Sequence, residues 1–313
     1  MWIKACIISF IIAAVCEPFL IPFLRKLKFG QTILEDGPSW HGKKQGTPTM
    51  GGIAFILSSV LASLIFVRDL RGGAVLLCGV LFGVIGFIDD YIKVVRKQNK
   101  GFSASQKFLA QTVVSLAYAL FLYLQFGQTE TRIPFTGINL DLGVFYIPFV
   151  MLVLLATTNS ANLTDGIDGL AASIGSLVAL FFALACVSLT GHTDGSVIAG
   201  ALAGGLLGFL IYNAYPAKVF MGDTGSLFIG GMIAAVAISA GLELFIIISA
   251  FIFLFEALSV IIQVAVYKKT KKRVFKMAPV HHHFEMCGWK ETKVVAVFSV
   301  ITLALCTICY IAL

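Results

Sequence analysis

The sequence predicts an all-α integral membrane protein of about ten transmembrane helices with both termini outside. Three observations carry this. Of 313 residues, 58% are hydrophobic and only 12% are charged, against about 25% charged in soluble domains. Mean hydropathy is +0.95, and the apolar residues gather in repeated long runs, which suit helices rather than a barrel. Basic residues concentrate in alternate loops, and that asymmetry orients a membrane chain. One polytopic domain over 1–313 accommodates the whole pattern.

The expected spans are 2–24, 50–67, 72–94, 106–126, 143–160, 168–190, 195–213, 225–240, 243–267 and 293–312. The first run has no small-residue cleavage site after it and reads as a retained helix. Gly204-Gly205 with Gly208, and Gly230-Gly231, suit close helix packing. Thr131–Leu142, around Thr136-Gly137, reads as a short hairpin. Cys306 and Cys309 form a C-x-x-C inside an apolar run, where small apolar packing explains them better than redox or zinc chemistry.

Orientation follows from charge. Arg25, Lys26, Lys28, Lys43 and Lys44 follow the first span. Lys93, Arg96, Lys97, Lys100 and Lys107 follow the third, and Lys268, Lys269, Lys271, Lys272, Arg273, Lys276, Lys290 and Lys293 follow the ninth. The opposite loops hold only Arg68, Arg71 and Arg132, with Lys4 at the N-terminus. These basic loops are expected in the cytoplasm. The net charge of +7 therefore serves topology and anionic lipid, not nucleic acid.

Five polar clusters then fall on the cytoplasmic side. They are Gly46-Thr47-Pro48-Thr49-Met50-Gly51-Gly52, Asp89-Asp90, Asn162 to Asp168, Asn213 with Phe220 to Ser226, and His281-His282-His283-Phe284-Glu285. Acids at a membrane edge are costly and point to function. Asn162, Asp165 and Asp168 are spaced by three, which on a helix puts them on one broad face. The rival reading is a polar turn with an Asp N-cap. Adjacent Asp89 and Asp90 point about 100° apart on a helix, so they are expected to do different jobs. They lack the D-D-x-x-D spacing of prenyl-diphosphate enzymes. Asp223 lies between glycines at a loop-to-helix junction suited to phosphate or a hard metal, or to a tight turn.

Three consecutive histidines cannot all reach one zinc ion. They read as phosphate or sugar contacts or as a polar loop. Carboxylates without a zinc pattern suggest Mg²⁺, which takes one or two carboxylates, water and substrate phosphates. Lys43, Lys44 and Lys107 can neutralise phosphate, Phe220 can stack on a base, and Asn162 or Asn213 can hydrogen-bond a base or sugar. Glu17, before Pro18, and Glu256 lie within spans and read as kinked or water-facing structural acids. The residues by themselves thus imply an active site at the cytoplasmic face that handles a phosphorylated substrate beside lipid.

In order and together, Gly46 to Gly52, Asp89-Asp90-Tyr91, Asn162 to Leu170, Phe220 to Leu227 and His281 to Glu285 resemble the polyprenyl-phosphate N-acetylhexosamine-1-phosphate transferases. The Thr-Pro-Thr-Met-Gly-Gly and His-His-His-Phe-Glu forms are similar to the muramoyl-pentapeptide branch. Leu34 departs from the basic residue expected in the family's Gln-x-Ile-Arg-x-Asp-Gly-Pro segment. The resemblance implies transfer of phospho-N-acetylmuramoyl-pentapeptide from its UDP-linked donor to undecaprenyl phosphate, giving lipid I and UMP. It also implies ten helices, a homodimer, Mg²⁺ and the bacterial plasma (inner) membrane. By position, Asp223 resembles the metal ligand and Asp89 the base toward the lipid phosphate. Asp90, Asp165, Asp168, Asn162 and His281 fall at active-site positions. Lys43 or Lys44, Thr47, Asn213 and Phe220 fall on the nucleotide side, and Lys107 and His282 at further substrate contacts.

Three other functions compete. A sister enzyme would use UDP-N-acetylglucosamine instead. A transporter would place its acids at the midplane, within an inverted repeat, and neither sign is present. A non-catalytic scaffold leaves the one-sided acids unexplained.

Overall fold

In a computed structural model, residues 1–27, 46–96 and 101–311 are described. Leu34, Lys43 and Lys44 lie outside the described residues, as do Lys28, Lys97 and Lys100 of the basic loops. The chain runs α1 (Trp2–Lys26), α2 (Gly52–Phe66), α3 (Leu70–Val95), α4 (Ala104–Phe126), β1 (Glu130–Arg132), β2 (Asn139–Asp141), α5 (Tyr146–Thr164), α6 (Leu170–Ala185), α7 (Thr193–Asn213), α8 (Gly222–Ser239), α9 (Ile246–Ser249), α10 (Phe251–Thr270), α11 (Val280–Met286) and α12 (Glu291–Ile311).

Nine helices among the described residues are long and apolar enough to cross a membrane. The expected tenth, α2, has only 15 residues. That is about 22 Å of helix, short of a hydrocarbon core about 30 Å thick. The expected span 243–267 is also broken. A 3₁₀ turn (Glu243–Phe245) and the four-residue α9 precede α10. The hairpin is present: Glu130, Thr131 and Arg132 pair antiparallel with Asp141, Leu140 and Asn139.

The bundle is built around α7 and α8. Every residue of α8 from Thr224 to Ser239 is buried. The outer helices bury only a stripe. In α1 it is Ala5, Ser9, Ala13, Glu17, Ile21 and Leu24, and in α12 it is Val294, Phe298, Thr302, Cys306 and Cys309. These spacings of three and four mark one helix face. Many of the remaining apolar residues of these helices are exposed, as with Ile3, Ile7, Phe19 and Ile308. That arrangement needs lipid as the solvent.

Small residues allow the close approach that lipid alone does not drive. Gly204 packs on the carbonyl of Cys6, Gly208 on that of Phe10, and Gly230 on Thr158. Gly86 of α3 lies against the Asp223 backbone of α8, leaving no room for a side chain. This last contact brings the acids of α3 to the start of α8.

Candidate active site

The site assembles at one end of the bundle, from the last turns of α3 and α5 and the first turns of α4 and α8. Asp89, Asp90 and Asp223 present carboxylate oxygens that all lie within 4.8 Å of one another. Asp89 and Asp90 do point to different partners, as adjacent helical residues should. Asp89 Oδ1 accepts the Phe102 N–H at 2.6 Å, beside Gly101, while Asp90 Oδ2 accepts the Thr224 N–H at 2.8 Å and the Thr224 hydroxyl at 2.7 Å. Asp90 thereby clamps α3 to the start of α8, where Gly222 has φ +72°. A side chain at Gly222 would be strained there and would also run into Asp90 and Thr49.

Two ammonium groups sit among the acids. Lys93 Nζ lies 2.7 Å from Asp89 Oδ2, 2.7 Å from Asp223 Oδ2 and 3.6 Å from Asp90 Oδ1. Lys107 Nζ lies 2.8 Å from the same Asp223 oxygen and 3.9 Å from Asp89 Oδ2. The other Asp223 oxygen accepts from Asn162 Nδ2 at 2.8 Å, and that amide also reaches Ser226 Oγ at 2.8 Å. Three acids against two bases leave a net negative pocket. Its clustered carboxylate oxygens could hold a metal ion.

Asn162, Asp165 and Asp168 do not share a helix face. α5 ends at Thr164 and Asp165 is its C-cap, so only Asn162 is helical. Asp165 stands half-buried beside the cluster. Burial first, and then the carboxylates of Asp223, Asp90 and Asp168, push its carboxyl up to about 8. Asp168 turns away from the cluster, and its Oδ2 accepts the Ala217 N–H at 2.9 Å. Asn213 is likewise buried in backbone contacts. It accepts from Gly169 N–H at 3.1 Å and donates to the Val219 carbonyl at 2.9 Å. Gly169, at φ +78°, and not an Asp, is the N-cap of α6. Asp168 and Asn213 thus frame the loops on which the site stands.

Thr47 and Phe220 lie together on a partly buried rim, where Phe220 N–H donates to the Pro48 carbonyl at 2.9 Å. The histidines are not in a loop: they form α11. His281 is fully buried, with its ring Nε2 against Gly166 of the Asp165–Asp168 loop. His282 Nδ1 pairs with Glu285 Oε2 at 2.7 Å. Glu17 and Glu256 are fully buried rather than water-facing. Glu17 has no hydrogen-bond partner among the described residues, whereas Glu256 Oε2 lies 3.1 Å from His281 Nδ1.

Sequence reasoning missed Lys93 as a site residue and treated it as a topology signal. Its spacing of four from Asp89 and three from Asp90 was the available clue. It also missed Thr224 and Ser226, whose partners lie on other helices.

The Glycosyl transferase family 4 model matches residues 73–241, and a phospho-N-acetylmuramoyl-pentapeptide-transferase signature matches residues 44–56. The chain is 52% identical over 313 residues to the phospho-N-acetylmuramoyl-pentapeptide-transferase of Clostridium botulinum strain Alaska E43, covering 99% of this chain and 96% of the relative. It is 49% identical over 315 residues to that of Clostridium acetobutylicum, covering 99% and 98%. It is 49% identical over 317 residues to that of Clostridium kluyveri strain ATCC 8527, covering 99% of each.

Proposed function

The chain belongs to the phospho-N-acetylmuramoyl-pentapeptide-transferase family, within Glycosyl transferase family 4, and on that premise we propose the following reaction and site. The protein moves phospho-N-acetylmuramoyl-pentapeptide from its UDP-linked donor to undecaprenyl phosphate. The phosphoanhydride bond between the two donor phosphates breaks, an oxygen of the lipid phosphate becomes bonded to the sugar-bearing phosphorus, and UMP leaves. One phosphoanhydride is exchanged for another. Such chemistry needs alignment and charge neutralisation more than covalent help from the protein. A lipid phosphate cannot leave the interface, so the site must lie at the end of a membrane bundle.

The observation that carries the reading is the Asp89, Asp90, Asp223, Lys93 and Lys107 cluster at that end. Lys93 and Lys107 are placed to meet phosphate oxygens. Asp223, with Asp89 or Asp90, would hold Mg²⁺, which when bound would offset phosphate charge. Asp89 is the base proposed to take the proton of the lipid phosphate, and Asp90 holds α3 against α8. Thr47 and Phe220 form the nucleotide-side rim. Asp165, Asp168, Asn213, His281 and His282 shape the loops around the phosphates. The concentration of basic residues in alternate loops supports a cytoplasmic position for this face and both termini outside. The enzyme works in the bacterial plasma membrane as a homodimer, which a mass measurement in detergent checks.

The test is purified protein with undecaprenyl phosphate and either the UDP-linked muramoyl-pentapeptide or UDP-N-acetylglucosamine, measuring UMP release with and without Mg²⁺. Release only with the muramoyl donor and Mg²⁺ is expected. Release only with the acetylglucosamine donor would assign the sister reaction, and no release with either would reject the transferase reading.

A further inference from the structure

Most of the α10 surface is left uncovered by the rest of the chain, and only Ile252, Phe253, Glu256 and Ser259 are buried. An acid on that stripe is expensive, and Glu256 is fully buried. Its surroundings explain why it is there. Oε2 is 3.3 Å from the His281 backbone N–H, which donates to it, and 3.1 Å from the His281 ring Nδ1. One carboxylate oxygen therefore addresses both the start of α11 and the ring it carries. The ring contact is close but off-line as a hydrogen bond. Catalytic contacts often have that geometry before substrate arrives, and tighten afterwards.

The other ring nitrogen is turned toward the loop that carries Asp165. Nε2 lies against Gly166, and any side chain there would collide with it. Gly166 follows Asp165 and lies two residues before Asp168. The imidazole therefore bridges a buried membrane acid and the acidic loop of the phosphate site. With Glu256 Oε2 3.1 Å from Nδ1, the tautomer with its proton on Nδ1 is the one whose N–H faces that acceptor once the contact aligns, and it leaves the Nε2 lone pair toward Gly166. Metal-bound histidines are oriented in the same way by carboxylates that do not themselves touch the metal.

We propose that Glu256 is a positioning residue, which sets the ring plane and tautomer of His281 and so the face that Nε2 shows to the Asp165–Asp168 loop. Its effect on turnover rests on the proposed phosphotransfer site. Its effect on the ring does not.

The experiment compares the full-length protein with Glu256→Leu and with Glu256→Met, which keeps an unbranched side chain of similar length should leucine fail to fold. Histidine ring nitrogens are read by ¹⁵N NMR in labelled protein, with His281→Gln used to assign the signal, and turnover is measured alongside. Wild type should carry the His281 proton on Nδ1, and the variants should lose that preference. Their kcat should fall about 10–100-fold, as when a carboxylate that orients a histidine is removed elsewhere, with little change in KM for either substrate. A wild-type ring already protonated on Nε2 alone, or one unchanged in both variants, would overturn the proposal. So would a loss of rate no greater than the loss of folded protein. A changed tautomer in a protein that transfers no phospho-sugar would leave the Glu256–His281 coupling standing and reject the proposed reaction instead.

Discussion

The two ends of α8 bury acid in opposite ways. At the Asp223 end, three carboxylates share two ammonium groups. At the Ser239 end, about 24 Å along the helix, Glu243 is 1% exposed and accepts the hydroxyls of Thr131 and Tyr146, both at 2.6 Å. Tyr146 accepts in turn from Gln128 Nε2 at 2.7 Å. Burial pushes the Glu243 carboxyl up to about 7, and the bonds from Thr131 and Tyr146 act against that rise. Short neutral donors tie the hairpin to the end of the bundle and leave the acid no free oxygen. Lysine ammonium groups on flexible stems can move aside for a phosphate or another cation. Burial by itself therefore does not mark a working site, and the nature of the partners separates a fixed clasp from an exchangeable pocket.

The largest test of this contrast is removal of one charge from each end. Asp223→Asn should cut kcat by about 10²–10³-fold or more while the protein still folds. Glu243→Gln should leave UMP release near wild type. Comparable losses from both would erase the distinction.

Next come the lysines. Lys93→Met removes a cation held by three carboxylates and should lower kcat about 10–100-fold, less than Asp223→Asn because Lys107 remains. If the ammonium groups are exchangeable counter-ions, the Mg²⁺ concentration for half-maximal activity should also fall. An unchanged or higher requirement would show that Lys93 does not compete with the metal.

The Glu243 clasp has its own signature in pH. Its folded value, about 7, lies above an ordinary carboxyl near 4.3. The folded state therefore holds the proton more tightly, and the stability this contributes is complete below about pH 4.3 and lost as pH rises through 7. Melting curves of wild type should lose on the order of 3 kcal/mol across that window relative to Glu243→Gln. Parallel pH profiles for the two proteins would contradict the burial argument.

The smallest effect belongs to Asn213, which joins the Gly169 amide to the Val219 carbonyl. Asn213→Ala should cost about 1–2 kcal/mol in unfolding, with donor KM raised less than by Phe220→Ala. A KM effect larger than that of Phe220→Ala would make Asn213 a direct contact rather than a brace.

Much of this protein is legible in its sequence. Lipid demands long apolar runs, so most spans were readable to within a few residues, as with 195–213 against Thr193–Asn213, whereas 243–267 is broken before α10 and α2 falls short of a span. A membrane edge tolerates few acids, so Asp89, Asp90, Asp165 and Asp223 stood out before any contact was known. Three matters needed the tertiary structure. A polar stretch has no periodicity to say where a helix stops, so the common face expected for Asn162, Asp165 and Asp168 dissolved at Thr164. Lys93 carries the same charge as any loop lysine, and only the approach of α3 to α8 at Gly86 puts it against Asp223. Glu256 and His281 lie 25 positions apart and share no motif spacing. Hydropathy is a property of each residue and its neighbours in the chain, so sequence alone determined the spans. The pairing of buried charges depends on which helices touch, and only packing decided that.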